Sequence, residues 1–159
     1  MVTKVNASRS LTLRWAPGDV ISVKFDLTTH LMEANPRVVD DYGRVAVQRG
    51  PLVHCLEQLD QPEGIALAAV RLEGNQKSTS QFQEEFRDDL LGGVVVLKCI
   101  GAVYESSPRG GLYSRCRPEI SNQHATTLTF IPHYAWANRA ATPMQVWTPV
   151  LNAWQAAMS

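Results

Sequence analysis

The chain carries four histidines (His30, His54, His124 and His133) and three cysteines (Cys55, Cys99 and Cys116). None stands in an HExxH arrangement, and there is no Cys-x-x-Cys pair. Neither a zinc site nor a dithiol redox motif is therefore written in the spacing. His54-Cys55 has the chemistry of a base and a nucleophile. Adjacent residues of a strand point to opposite faces, however, which places the two poorly for a mutual hydrogen bond. GxSxG and glycine-rich phosphate loops are absent. Glu84, Glu85, Asp88 and Asp89 offer carboxylates for acid–base hydrolysis, but such a pair must flank a substrate at about 5–10 Å. A solvated charged face explains these four better. No catalytic, cofactor-binding or metal-ligating residue is assigned. The cysteines read as buried reduced thiols, with one disulfide left open.

Two other places gather recognition chemistry. In Arg49-Gly50-Pro51, glycine suits a bulge or a close backbone approach and proline fixes the bend. The Arg49 guanidinium can make a planar, two-pronged pair with a carboxylate, in the fold or in a ligand. The second is Ile131 to Arg139, where Tyr134, Trp136, Asn138 and Arg139 lie together. Aromatic faces stack on sugar rings, and amide and guanidinium groups bind hydroxyls. The same residues equally serve as a core anchor and corner ties, or as an interface with another domain. All three readings stand at this point.

These residues must be positioned by strands. Ile21, Val23, Phe25 and Leu27 alternate with Ser22, Lys24, Asp26 and Thr28, the signature of a strand with one buried face. Leu11 to Trp15 alternates too, across the turn residues Pro17-Gly18-Asp19. Further strands are predicted at Pro36–Asp40, Arg44–Gln48, Leu52–Leu56, Val94–Leu97, Thr126–Ile131 and, briefly, Gln145–Thr148. Pro51 inside this pattern predicts an edge or bulge. Ile65–Leu72 is undecided. Gln81–Leu91 satisfies helix and strand spacing alike, and the β-branched run after it favours strand. Ser106–Glu119 reads as a long loop. Many short strands between turn signals predict an all-β fold, an antiparallel, jelly-roll-like β-sandwich with few or no helices.

Composition bounds the rest. The chain has 159 residues, 45% of them apolar and 19% charged, which suits a single packed core and excludes global disorder. Fifteen basic and fifteen acidic residues cancel, so no nucleic-acid partner is expected, and a net charge of zero favours self-association. No apolar run is long enough for a membrane span. The N-terminus lacks the apolar stretch of a secretion signal, so the chain as it stands is expected in the cytoplasm.

Gly43 to Glu57 (GRVAVQRGPLVHCLE) resembles a segment of glycoside hydrolase family 127, the β-L-arabinofuranosidase-like family. So do Leu91–Leu97, Ile131–Arg139 and Met144–Trp147, in matching order and spacing, and Trp15–Asp19 fits as well. The resemblance spans about residues 11–148. It departs at His54, where the family usually has tyrosine, and at His133, where an aromatic is common. The resemblance implies a longer protein whose activity resides in an upstream (α/α)6 barrel, with a cysteine nucleophile and a zinc ion held by cysteines and a glutamate. Its marks, Glu-x-Cys and Cys-Cys, do not occur here. Zinc is thus expected only in that barrel, and Cys55, Cys99 and Cys116 inherit no role.

What the resemblance implies for this chain is a non-catalytic C-terminal β-sandwich portion, a fragment that braces the barrel or builds an oligomer. Residues 1–35 would be the end of a preceding sandwich region or its edge strands, 36–150 the domain and 151–159 a tail. A start partway through the sandwich leaves an unpaired sheet edge. Expected partners are the barrel, a second copy through that edge and, by the alternative reading, carbohydrate at Tyr134, Trp136, Asn138 and Arg139.

Overall fold

The computed structural model describes residues 16–73, 81–104, 113 and 123–151. The expectations for Leu11–Trp15, for nearly all of Ser106–Glu119 and for the tail beyond Leu151 lie outside these residues. The regular elements described are strands and short 3-10 turns. The strands are β1 (Thr29–Glu33), β2 (Arg44–Arg49), β3 (Leu52–Glu57), β4 (Val70–Glu73), β5 (Gln83–Arg87), β6 (Val94–Tyr104), β7 (Gln123–Pro132), β8 (Met144–Gln145) and β9 (Thr148–Leu151). The all-β expectation holds.

Successive pairings run β2–β3–β7–β6–β4–β9 and return to β2. β1 extends this circuit on the outer edge of β2, β5 lies along β6, and β8 lies along β3. Antiparallel pairing is general but not complete, because β4 and β9 run parallel, with Leu72 opposite Val150. A parallel pair needs a long crossover, and here the chain between β4 and β9 includes β5 to β8.

Alternation in the sequence becomes burial in the fold. Val45, Val47, Leu56, Leu72, Leu97, Leu128 and Phe130 join one enclosed cluster, drawing on strands that are not hydrogen-bonded neighbours. The opposite face of β3, β6 and β7 supplies a second cluster of Cys55, Val94, Val96 and Ile131, covered by Leu90 and Ala135. Leu56 and Cys55 thus fall on opposite sides of β3, as a period of two requires.

Several elements differ from expectation. Gly50-Pro51 makes a two-residue hairpin between β2 and β3, with Gly50 at φ +55°, rather than an edge or bulge. Glycine is required there, because a Cβ would lie 2.9 Å from the Asp26 carbonyl and 2.8 Å from Leu27. Pro36–Asp40 yields to a 3-10 turn at Val39–Asp41. Ile65–Leu72 divides into a 3-10 turn, Leu67–Ala69, and β4. Gln145–Thr148 splits into the end of β8 and the start of β9, because the two pair with different strands. Ile21–Leu27 forms no strand, and its apolar side chains are exposed. The periodicity there is real, but no sheet edge among the described residues pairs with it.

Candidate functional site

The residues singled out in the sequence fall in two places. The first is the β2–β3 hairpin. Thr29, Arg49 and Leu52 are opposite one another across β1, β2 and β3. From this row Arg49 reaches β5, where Nε and Nη2 donate to the two Glu84 carboxylate oxygens at 2.8 and 2.7 Å. The hydrogen bond to Glu84 raises the Arg49 pKa, and the same bond lowers that of Glu84. The pair ties two strands that share no ladder. On the β5–β6 hairpin, Glu85 is partnered by Lys98 at 2.5 Å and Asp89 by two hydrogen bonds from Arg87.

His54 lies in the same region, fully buried. Its Nδ1 is 3.3 Å from the Leu52 carbonyl and its Nε2 3.3 Å from the Val95 carbonyl. Only one ring nitrogen of a neutral imidazole can donate. Burial nevertheless dominates and holds the pKa below the ordinary 6.5, with the Val95 and Leu52 carbonyls opposing. The fold therefore favours neutral His54. Its contribution is complete above pH ~6.5 and is lost as pH falls through the depressed folded value, because the unfolded chain takes up its proton first. Urea unfolding from pH 7 to 5 is expected to show this decline, and His54→Phe to flatten that part of the profile.

The second place is the corner at the end of β3, to which residues 137–142, beyond β7, return. Glu57 closes β3 fully buried. Its Oε1 accepts from the Ala137 amide at 3.1 Å and the Thr142 hydroxyl at 3.0 Å, while Oε2 accepts from Arg139 Nη2 at 2.5 Å. Arg139 also grips Asp60 with both terminal nitrogens, Nη1 at 2.8 Å from Oδ1. Hydrogen bonds to Asp60 and then to Glu57 push the Arg139 pKa up against the effect of burial. Arg87 approaches Asp60 at 3.9 Å, linking the β5–β6 hairpin to the corner.

Backbone ties complete this corner. The Trp136 indole N–H donates to the Thr142 carbonyl at 3.0 Å, and Asn138 Nδ2 donates to the carbonyls of Tyr134 and Trp136 at 3.2 and 3.3 Å. Ala137 holds φ +60°, a left-handed conformation uncommon for a residue with a Cβ. The Glu57 carboxylate stabilises it by accepting its amide. Gln61 bonds the backbone of Thr129 through both amide atoms and also reaches the Glu57 carbonyl.

Of the named residues, Tyr134, Trp136, Asn138 and Arg139 thus come together, and Arg49 stands apart with Glu84. Asn138 and Arg139, themselves exposed, spend their donors on the carbonyls of Tyr134 and Trp136 and on Glu57 and Asp60, and Tyr134 is 57% and Trp136 39% exposed. Glu57, Asp60, Gln61 and Thr142 were not singled out from the sequence. Glu57, a charge directly after the predicted strand Leu52–Leu56, was the one visible signal. Cys55 and Cys99 sit in different buried clusters, and burial pushes each thiol up to about 12. They therefore carry almost no thiolate at neutral pH. Among the described residues no three His, Cys, Asp or Glu side chains group closely enough to hold a metal ion.

Fold and site together define an all-β domain whose charged groups at the corner are committed to one another. The sequence model of the glycoside hydrolase family 127 C-terminal domain matches residues 29–149, and the chain belongs to that family. It is similar to a non-reducing end β-L-arabinofuranosidase of Bifidobacterium longum, with 37% identity over 128 residues, 79% of this chain and 19% of that protein. Among solved structures it resembles a family 127 β-L-arabinofuranosidase of Geobacillus stearothermophilus, at 33% identity and TM-score 0.64, covering 77% of this chain and 18% of that one. A second family 127 β-arabinofuranosidase aligns at 31% identity and TM-score 0.63, covering 80% of this chain and 18% of that one. The chain therefore spans about a fifth of the length of these relatives.

Proposed function

We propose that this domain is a non-catalytic C-terminal accessory domain of a β-L-arabinofuranosidase-like glycoside hydrolase, and that it braces the catalytic barrel through the Glu57–Arg139 corner. The observation that carries this is the combination of internal charge pairing with outward apolar groups. Around the corner, Leu59, Leu91, Tyr134 and Trp136 are exposed. Leu59 flanks Asp60, and Leu91 flanks Leu90, which packs in one cluster with Ala135. A rigid scaffold presenting aromatic and aliphatic side chains suits a protein interface, where such residues supply most of the binding energy.

The test is a chimera in which residues 29–149 replace the matched C-terminal fifth of the Bifidobacterium enzyme. The chimera is expected to hydrolyse an aryl β-L-arabinofuranoside, and Tyr134→Ala with Trp136→Ala to lower its melting temperature. Turnover by this chain alone, or a chimera indifferent to the double substitution, would overturn the proposal.

Sugar binding at Tyr134 and Trp136 is the second reading, favoured by the exposure of both rings. It loses support from the engagement of the Asn138 and Arg139 donors within the chain itself. Titration with arabinose-rich oligosaccharides would quench tryptophan fluorescence if it held.

A further inference from the structure

We propose that a buried water molecule bridges the Gln145 amide and the Thr148 hydroxyl, at the fork where β2 and β3 part.

The register makes the fork. Val47 lies opposite His54, and continuing that ladder would set Val45 opposite Leu56. Each takes another partner instead, Val45 pairing with Thr148 of β9 and Leu56 with Gln145 of β8. Directly opposed residues of a ladder point to the same face. Val45 and Leu56 both belong to the larger enclosed cluster, so Thr148 and Gln145 project to that side. Met144 and Val146 pack on the smaller cluster, as alternation about Gln145 requires. The surrounding backbone is fixed by three bonds. The Gln58 amide donates to the Pro143 carbonyl at 3.0 Å, Arg44 Nη1 to the Trp147 carbonyl at 3.2 Å, and the Val150 amide to the Gly43 carbonyl at 3.1 Å.

Two polar atoms are thereby carried into an apolar interior. Thr148 is fully buried, and its Oγ1, like the buried Nε2 of Gln145, has no hydrogen-bond partner among the described residues. A buried polar group left alone costs stability, and native folds keep such groups where something else satisfies them. The chemistry of the pair selects the ligand. An amide N–H repels a cation. An anion would lack a counter-charge, because Arg44 and Glu57, the charged neighbours of Val45 and Leu56, project from the opposite face. What fits is small and neutral, accepts from Nε2 and bonds a hydroxyl that both donates and accepts. Water does this, and these two groups meet the minimum of the roughly two to four partners that a buried water needs. The bridge completes the seam at which β9 closes the circuit of strands.

Urea unfolding of the full chain tests the bridge by its sign. Thr148→Val keeps the volume and removes the hydroxyl. It is expected to lower the folding equilibrium constant about tenfold, because the water and Gln145 lose a partner. Removing a hydroxyl that had no partner at all would raise that constant. Gln145→Leu should act in the same direction as Thr148→Val. The double variant should be no less stable than either single one, since the water leaves together with both of its partners. Independently, magnetisation transfer from a long-lived water to the Thr148 methyl group is expected in the wild-type chain and should be lost in Gln145→Leu. A Thr148→Val variant more stable than wild type, a double variant whose loss equals the two single losses combined, or no such transfer in the wild-type chain would overturn the proposal.

Discussion

Replacing Arg139 with alanine is expected to lower the unfolding free energy by about 3–5 kcal/mol, the range for removing one partner from a buried ion pair. Glu57 and Asp60 have side chains only 0% and 3% exposed, and Arg139 is the cation that bonds both. Its loss strands two carboxylates away from water. A domain typically has 5–15 kcal/mol of stability in all, so the variant should unfold at much lower urea. The effect should also be local. Glu57 holds the Ala137 amide and the Thr142 hydroxyl, so amide exchange at Ala137 should rise well above that of β6. Arg139→Lys keeps the charge but not the planar fork, and should recover only part of the loss. A urea midpoint unchanged in Arg139→Ala would mean that the corner is held by its backbone ties alone.

Phe130→Ala is expected to cost a similar amount, about 3–5 kcal/mol, for a different reason. Phe130 is fully buried and lies opposite both Leu97 of β6 and Leu56 of β3. It also meets the Phe82 ring edge-to-face at 6.0 Å. Truncation leaves a cavity where three strands converge, and a close-packed interior refills such a space only in part. Phe130→Leu should lose much less, since most of the volume remains. Chemical denaturation of both variants checks the ordering, and equal stability of the two would contradict the cavity argument.

Local pattern made β2, β3 and β7 legible, because each is a short run rich in apolar and β-branched residues, although the structure buries both faces of β3 and of the end of β7. The same pattern at Ile21–Leu27 shows that a segment is able to pair but not with what, and no strand forms there. β6 runs to Tyr104, well beyond Val94–Leu97, because its far half pairs with both β4 and β7, contacts that no local pattern shows. Within it Gly101 is a close-approach residue, since a Cβ would lie 3.0 Å from the Arg71 carbonyl and 2.3 Å from Leu128. Pairing of β9 with β2 and β4 could not be read, since it depends on where distant chain returns. The corner was half legible for the same reason. Tyr134 to Arg139 is conspicuous as a run, but Arg139 finds Asp60 and Glu57 at separations of 79 and 82 residues.

The position of β9 bears on how the domain is made. Thr148–Leu151, the last strand described, sits between β2 and β4, two strands from the first half of the chain. Until the ribosome has released that stretch, the edges it occupies stay open while most of the remaining strands already exist. Vectorial synthesis therefore passes through an incomplete sheet with reactive borders, the kind of nascent species that holdase chaperones shield. A chain cut just before Thr148 would accordingly be far more damaged than the four residues of β9 suggest.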